Sequence, residues 1–224
     1  MATPAGVAFF DVDETLVSVR TLESFLLYYL KRVPSMVSLQ HLGELRQQVL
    51  HLSRAEFNRR YFRIWAGQRE ADVLTAGRDW FAQASEQPGF YRPNVLERLR
   101  KHQDAGAHVV LVSGSFGPPL QPIGAALGVE SIYCTELEVV DGVYTGEISA
   151  AMIDDDKSHA VDAYLAGLGA GLDSWAYGDH PSDLALLERV AHPVVVGSDE
   201  RMLALATARD WPVMPVETPL APRA

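Results

Sequence analysis

Apolar and polar positions along the chain follow two different rhythms. Residues 7–12 form a short apolar run that ends in acids, the pattern of a buried strand. From about residue 21 to 85, apolar positions recur every three or four, as in Leu22, Phe25, Leu26, Tyr29 and Leu30, which predicts amphipathic helices. Pro34 breaks the first of these, Ser53 caps a later one and Gly67 ends it, giving three or four helices with no strand between them.

The rhythm changes after Gln87-Pro88-Gly89. A helix over 93–105, closed by Gly106, is followed by a strand at 108–112. A helix over 119–127 ends at Gly128, and 131–134 is the next strand. Segments 137–140 and 143–148 read as a hairpin around Asp141-Gly142. Helices are expected at 156–168, 182–190 and 200–208, with strands at 174–177 and 193–196. Such alternation predicts an α/β fold, a parallel sheet core with helices on both faces. An all-helical insert interrupts it directly after the first strand.

Composition narrows the classes. The chain has 224 residues, 48% hydrophobic and 21% charged, enough apolar side chains to bury a core, which excludes a disordered chain, a collagen-like repeat and a disulfide scaffold. Its longest apolar runs fall far short of the ~20 residues that span a bilayer, so no membrane partner is expected. The net charge of −10 offers no counterion-release drive toward nucleic acid. Arg54, Arg59, Arg60 and Arg63 come closest to a basic cluster and, at helical spacing, read as a solvated helix face. The lone Cys134 has no internal disulfide partner and is expected as a buried structural thiol in a reducing cytoplasm. The first residues lack the basic region of a secretory signal.

Ligands of such sheets bind at the carboxyl ends of the strands, and the polar residues gather there. The first strand runs into Asp11-Val12-Asp13-Glu14-Thr15-Leu16, a second into Val112-Ser113-Gly114-Ser115, and a third into Gly178-Asp179-His180-Pro181-Ser182-Asp183, while Lys157 opens a helix after the hairpin. Each has an ordinary reading: an Asp turn, a Ser helix cap, a solvated Lys beside Asp154, Asp155 and Asp156, a strand-to-helix turn. Together, in an order that converges on one crevice, they point to a phosphoryl group and a divalent cation. Carboxylates are the hard oxygen ligands of Mg²⁺. A serine hydroxyl, backbone N–H groups around Gly114 and a lysine ammonium suit phosphate oxygens. A carboxylate can attack phosphorus, and a second one two residues on can move the proton.

These motifs resemble the haloacid dehalogenase superfamily, in particular the phosphatase branch typified by phosphoserine phosphatase. Asp11 to Leu16 is similar to its first motif, Val112 to Ser115 to the second, Lys157 to the third, and Gly178-Asp179 with Asp183 to the fourth. The resemblance covers about residues 7 to 205. It implies a Rossmann-like core, residues 1–17 and 89–224, with a helical cap domain over 18–88 that closes on the site. It also implies a Mg²⁺-dependent hydrolase of a small phosphomonoester. Asp11 would be nucleophile and Mg²⁺ ligand. Asp13 would be general acid/base and give its backbone carbonyl to the metal. Ser113, Gly114 and Lys157 would hold the phosphoryl group, Asp179 would ligate the metal, and Asp183 would support it from nearby.

Ser182 stands where the branch has asparagine, and Ser115 replaces a common glycine. The cap residues that grip phosphoserine have no clear counterpart. Arg20 and Glu23 lie near one of those places, and Arg59, Arg60 or Arg63 near the other. The substrate therefore stays open. A phosphoryl transferase or mutase using the same aspartyl-phosphate is the alternative, whereas a decayed binding module is disfavoured because every charged catalytic position is filled.

Overall fold

Four consecutive apolar residues, Val7–Phe10, form strand β1, and every one of them is buried. A computed structural model, which describes residues 4–33, 47, 54–168 and 171–216, places β1 in the middle of a seven-stranded sheet. The others are β2 (His108–Phe116), β3 (Ser131–Val140), β4 (Val143–Ala150), β5 (Ser174–Gly178), β6 (His192–Val196) and β7 (Val213–Met214), in spatial order β4-β3-β2-β1-β5-β6-β7. All neighbours pair parallel except β3 with β4.

Because side chains alternate along a strand, β1 feeds two cores. Val7 and Phe9 join Val110, Val112, Val161, Leu186 and Met202 on one face, which is covered by helices α6 (Asp155–Leu168), α7 (Leu184–Leu187) and α8 (Glu200–Arg209). Ala8 and Phe10 join Leu111, Val95, Leu99, Leu120 and Ile123 on the other, under α4 (Pro93–Asp104) and α5 (Gly117–Leu127). The expected two-faced α/β sheet is present.

Between β1 and α4 the described elements are helical: α1 (Thr21–Arg32), α2 (Arg54–Phe62), a 3₁₀ turn at Arg63–Trp65 and α3 (Glu70–Ala84). This segment leaves and returns through adjacent chain. Ser18 N–H donates to Phe90 O at 2.8 Å, Arg92 N–H donates to Leu16 O at 3.0 Å, and Val17 bridges Tyr91. Aromatic packing fixes it to the sheet: the Phe116 ring lies 5.1 Å from Trp65, 5.6 Å from Phe62 and 5.9 Å from Phe25, centroid to centroid.

Several element ends differ from the sequence reading. Strand β2 continues to Phe116, and 131–140 is one strand, whose exposed Glu136 and Glu138 alternate with buried Thr135 and Leu137. The hairpin turn is as expected, with Asp141 at φ 50° and Gly142 at φ 75°, the pair of positive values that a two-residue type I′ turn demands. The helix expected over 182–190 is shorter, a 3₁₀ turn at Pro181–Asp183 leading into α7, and β7 had no sequence signal. Cys134 is half-buried rather than enclosed, with burial pushing its thiol up to about 11. The Pro34 break and the Ser53 cap lie outside the described residues. Among those described, no helix is long and apolar enough to cross a membrane.

Candidate active site

Register brings the motifs together. Phe10 is opposite Leu111 of β2 and Tyr177 of β5, so Asp11 and Asp179, just past β1 and β5, come to the same end of the sheet as Ser113 of β2. Asp11 is 5% exposed, and its N–H is tied to Tyr177 O at 2.9 Å. The chain then turns tightly: Leu16 and Val17 N–H both donate to Val12 O at 3.0 Å, with Glu14 in the left-handed region at φ 61°. This turn aims Thr15 back across the site, where its Oγ1 donates to Asp179 Oδ1 at 2.7 Å.

Lys157, at the start of α6, is buried and lies between two carboxylates. Its Nζ donates at 2.6 Å to both Asp11 Oδ1 and Asp183 Oδ1. The other oxygen of Asp183 accepts the His180 N–H at 3.1 Å, so Asp183 holds the loop and the lysine in place. Gly178 makes room for it, since a β-carbon there would stand 2.5 Å from Asp183 Cβ. His180 caps the same turn, its ring Nδ1 accepting the Ser182 N–H at 3.1 Å.

On β2, the buried Ser113 hydroxyl accepts Ser115 N–H at 3.1 Å, where the β2–β3 register shifts. Thr135 Oγ1 donates to Gly114 O at 3.1 Å. Asp13 projects the other way, its Oδ1 accepting Thr21 N–H at 2.7 Å in the first turn of α1.

Charge is unbalanced here. Asp11, Asp179 and Asp183 offer oxygens within 4.8 Å of one another, and Lys157 bonds two of these residues. With all groups ionised, three carboxylates against one ammonium leave two negative charges. Desolvation and the Asp183 charge hold Asp11 well above the usual carboxylate range, and Asp179 is pushed up to about 7 by burial and then by Asp183. Burial alone would discharge Lys157, but Asp11 and Asp183 outweigh it and keep the ammonium charged. A hard divalent cation suits this donor set in both charge and oxygen chemistry.

A family model for haloacid dehalogenase-like hydrolases matches residues 8–188. The chain belongs to this family. Among curated relatives, a Mycobacterium tuberculosis H37Rv protein called a probable phosphatase is 36% identical over 130 residues, 58% of this chain but 45% of its own length. A histidinol-phosphatase of Neisseria meningitidis serogroup C is 31% identical over 122 residues, 52% of this chain and 55% of that protein. The chain thus matches about half the length of these relatives. Of solved structures, a Bordetella pertussis Tohama I protein of unknown function superposes with a TM-score of 0.81 at 23% identity, covering 93% of this chain and 97% of that one. A phospho-aspartyl intermediate analogue of phosphoserine phosphatase superposes with a TM-score of 0.68 at 16% identity, covering 96% and 95%. At these identities the superpositions establish the shared fold.

Thr21 and Asn58, which the motifs did not point to, complete the picture. Thr21 and Ser115, joined by a 2.7 Å hydrogen bond from Thr21 Oγ1 to Ser115 Oγ, link the insert to β2. Asn58 of α2 is buried beside Gly114. The insert candidates fare unequally. Arg20 is engaged with Glu14 at 2.7 Å and Arg63 with Glu147 at 3.5 Å, both exposed pairs. Glu23 and Arg60 are exposed, and Arg59 lines a cleft of about 330 Å³ with Asp154 and Asp156.

Proposed function

We propose that the protein is a Mg²⁺-dependent phosphomonoester hydrolase acting on a small metabolite through an aspartyl-phosphate on Asp11. The observation that carries this reading is the buried Asp11–Lys157–Asp183 cluster, at 2.6 Å contacts, beside Asp179 and level with Ser113. Lys157 engages Asp11 Oδ1, which leaves Oδ2 to attack phosphorus. As the new Asp11–phosphorus bond forms, the ester P–O bond breaks and Asp13 donates its proton to the departing alkoxide. Asp13 then takes a proton from water, which attacks the acyl phosphate and frees phosphate and Asp11.

Ser113 Oγ, the Gly114 backbone and Lys157 hold the phosphoryl oxygens, and the lysine offsets repulsion between Asp11 and the dianion. Asp11, Asp179 and the main-chain carbonyl of Asp13 would hold Mg²⁺, with Asp183 supporting from the side. Bound there, the ion supplies charge stabilisation to the phosphoryl oxygens. Residues 18–88 act as a cap domain that shelters the site from water, on a core of 1–17 and 89–224.

The test is phosphate release from a panel of phosphomonoesters, with Mg²⁺ and with EDTA. Mg²⁺-dependent release from one compound far above the rest supports the reading and names the substrate. Release undiminished by EDTA removes the metal assignment, and transfer to an added alcohol with little free phosphate replaces hydrolase by transferase.

A further inference from the structure

Asn58 is buried to 4% exposure in α2, a helix that is otherwise rich in arginine. Its amide atoms are not among the polar atoms sealed away without a partner, which among the described residues are Tyr28 Oη, Trp65 Nε1, Tyr91 Oη and Arg92 Nε. An amide held this deep keeps its polar atoms only where something polar can meet them, so its surroundings matter. The direction it faces is informative. Its Nδ2 stands 3.9 Å from the point that a β-carbon on Gly114 would occupy, a point also bounded by Met152 O at 3.5 Å and Ile153 Cγ1 at 3.9 Å. Ile153 in turn lines the cleft of about 330 Å³ that Arg59, Ser149 and Asp156 share.

The groups proposed to hold the phosphoryl come from β2 and α6, whereas Asn58 approaches Gly114 from the insert. We propose that Asn58 determines specificity: its amide hydrogen-bonds a hydroxyl or carbonyl carried by the alcohol part of the substrate close to the ester oxygen, where that part passes Gly114 toward the cleft. An amide both donates and accepts, so a hydroxylated alcohol satisfies it in either sense. This inference rests on the phosphomonoesterase reading. The class it selects is phosphate esters of polyols and related oxygenated alcohols over those of plain alkyl alcohols.

The experiment compares glycerol 1-phosphate with propyl phosphate on the wild type and on Asn58→Leu, which keeps the shape and removes the polar atoms. With Mg²⁺ present, Asn58→Leu is expected to lower kcat/KM for the glycerol ester about tenfold or more while changing the propyl ester less than about threefold. An equal loss on both esters marks a merely structural amide and overturns the proposal, as does no loss on either. The same pair is titrated calorimetrically in EDTA. If the wild type turns over neither ester, the hydrolase reading fails on its own. The site proposal then stands only if the glycerol ester binds more tightly and Asn58→Leu abolishes that preference. No preference in the wild type overturns it.

Discussion

Thr21 ties two strand ends together: its Oγ1 donates to Ser115 Oγ at 2.7 Å, and its backbone N–H donates to Asp13 Oδ1 at 2.7 Å. The first turn of α1 therefore reports on both the proposed general acid/base and the proposed phosphate turn. Thr21→Val preserves the shape and strands the buried Ser115 hydroxyl, at an expected cost of about 1–3 kcal/mol. Urea unfolding measures it, and a loss below about 0.5 kcal/mol would show that Ser115 finds another donor.

Among the described residues, Lys157 is the one cation bonded to both Asp11 and Asp183. Lys157→Met leaves two buried carboxylates facing each other without their partner. Stability should fall by about 3–5 kcal/mol and the proposed phosphatase activity should vanish. A variant as stable as the wild type in urea would mean that the carboxylates are already neutral.

Gly178 has no space for a side chain, because the added β-carbon of Gly178→Ala would sit 2.5 Å from that of Asp183. The strain should cost about 1–3 kcal/mol and displace Asp183 from Lys157, so turnover drops with stability. Full activity in this variant would remove Asp183 from any role in holding the lysine.

Mg²⁺ should raise the melting temperature if the folded acidic cluster is the proposed metal site, since the unfolded chain has no such cluster. At 100-fold excess over Kd the gain is about 2.7 kcal/mol, or roughly 5–10 °C for a chain of this size. Differential scanning fluorimetry with MgCl₂ and then EDTA checks this. Asp179→Asn should shrink the shift, and an undiminished one would place the cation elsewhere.

His102 gives a pH dependence away from the site. Its Nε2 lies 2.8 Å from Tyr177 Oη, and burial, followed by the charge of Arg98, lowers its pKa to about 4. Between its ordinary value near 6.5 and 4, the unfolded chain takes up a proton that the folded one refuses. Stability should therefore be intact above pH 6.5, fall as pH drops toward 4, and lose no more from this group below that. The expected loss is up to about 3 kcal/mol. Urea midpoints across this range should slope less in His102→Gln than in the wild type, and parallel slopes would contradict the assignment.

The strand-end motifs were legible because spacing and residue type carry their own logic. Asp11, Ser113, Lys157 and Asp179 stand in chain order, parallel pairing on both sides of β1 brings Asp11, Ser113 and Asp179 to one end of the sheet, and Lys157 reaches Asp11 there from α6. The continuity of β3 was hidden by Glu136 and Glu138, which break an apolar run but sit outward on an alternating strand. Pro181 tightens the turn after β5 into 3₁₀ geometry and shortens what reads as one helix. Asn58 had no signal at all. A polar residue among arginines looks solvated, and only the packing of α2 over Gly114 buries it.

The place of β1 in the sheet also bears on how the protein is made. Val7 pairs with His108 on one side and Ser174 on the other. On a growing chain, this apolar strand waits for its first neighbour across the whole helical excursion, and for its second until residue 174 has been added. At ribosomal speeds of roughly 5–20 residues per second, that second wait lasts about 10–30 s. The helices made in between fold from local contacts and are the first surface available to shield it. Asp11 acquires Lys157 and Tyr177 only once residues 157 and 177 have been added, so a nascent chain holds its proposed nucleophile long before it can use it.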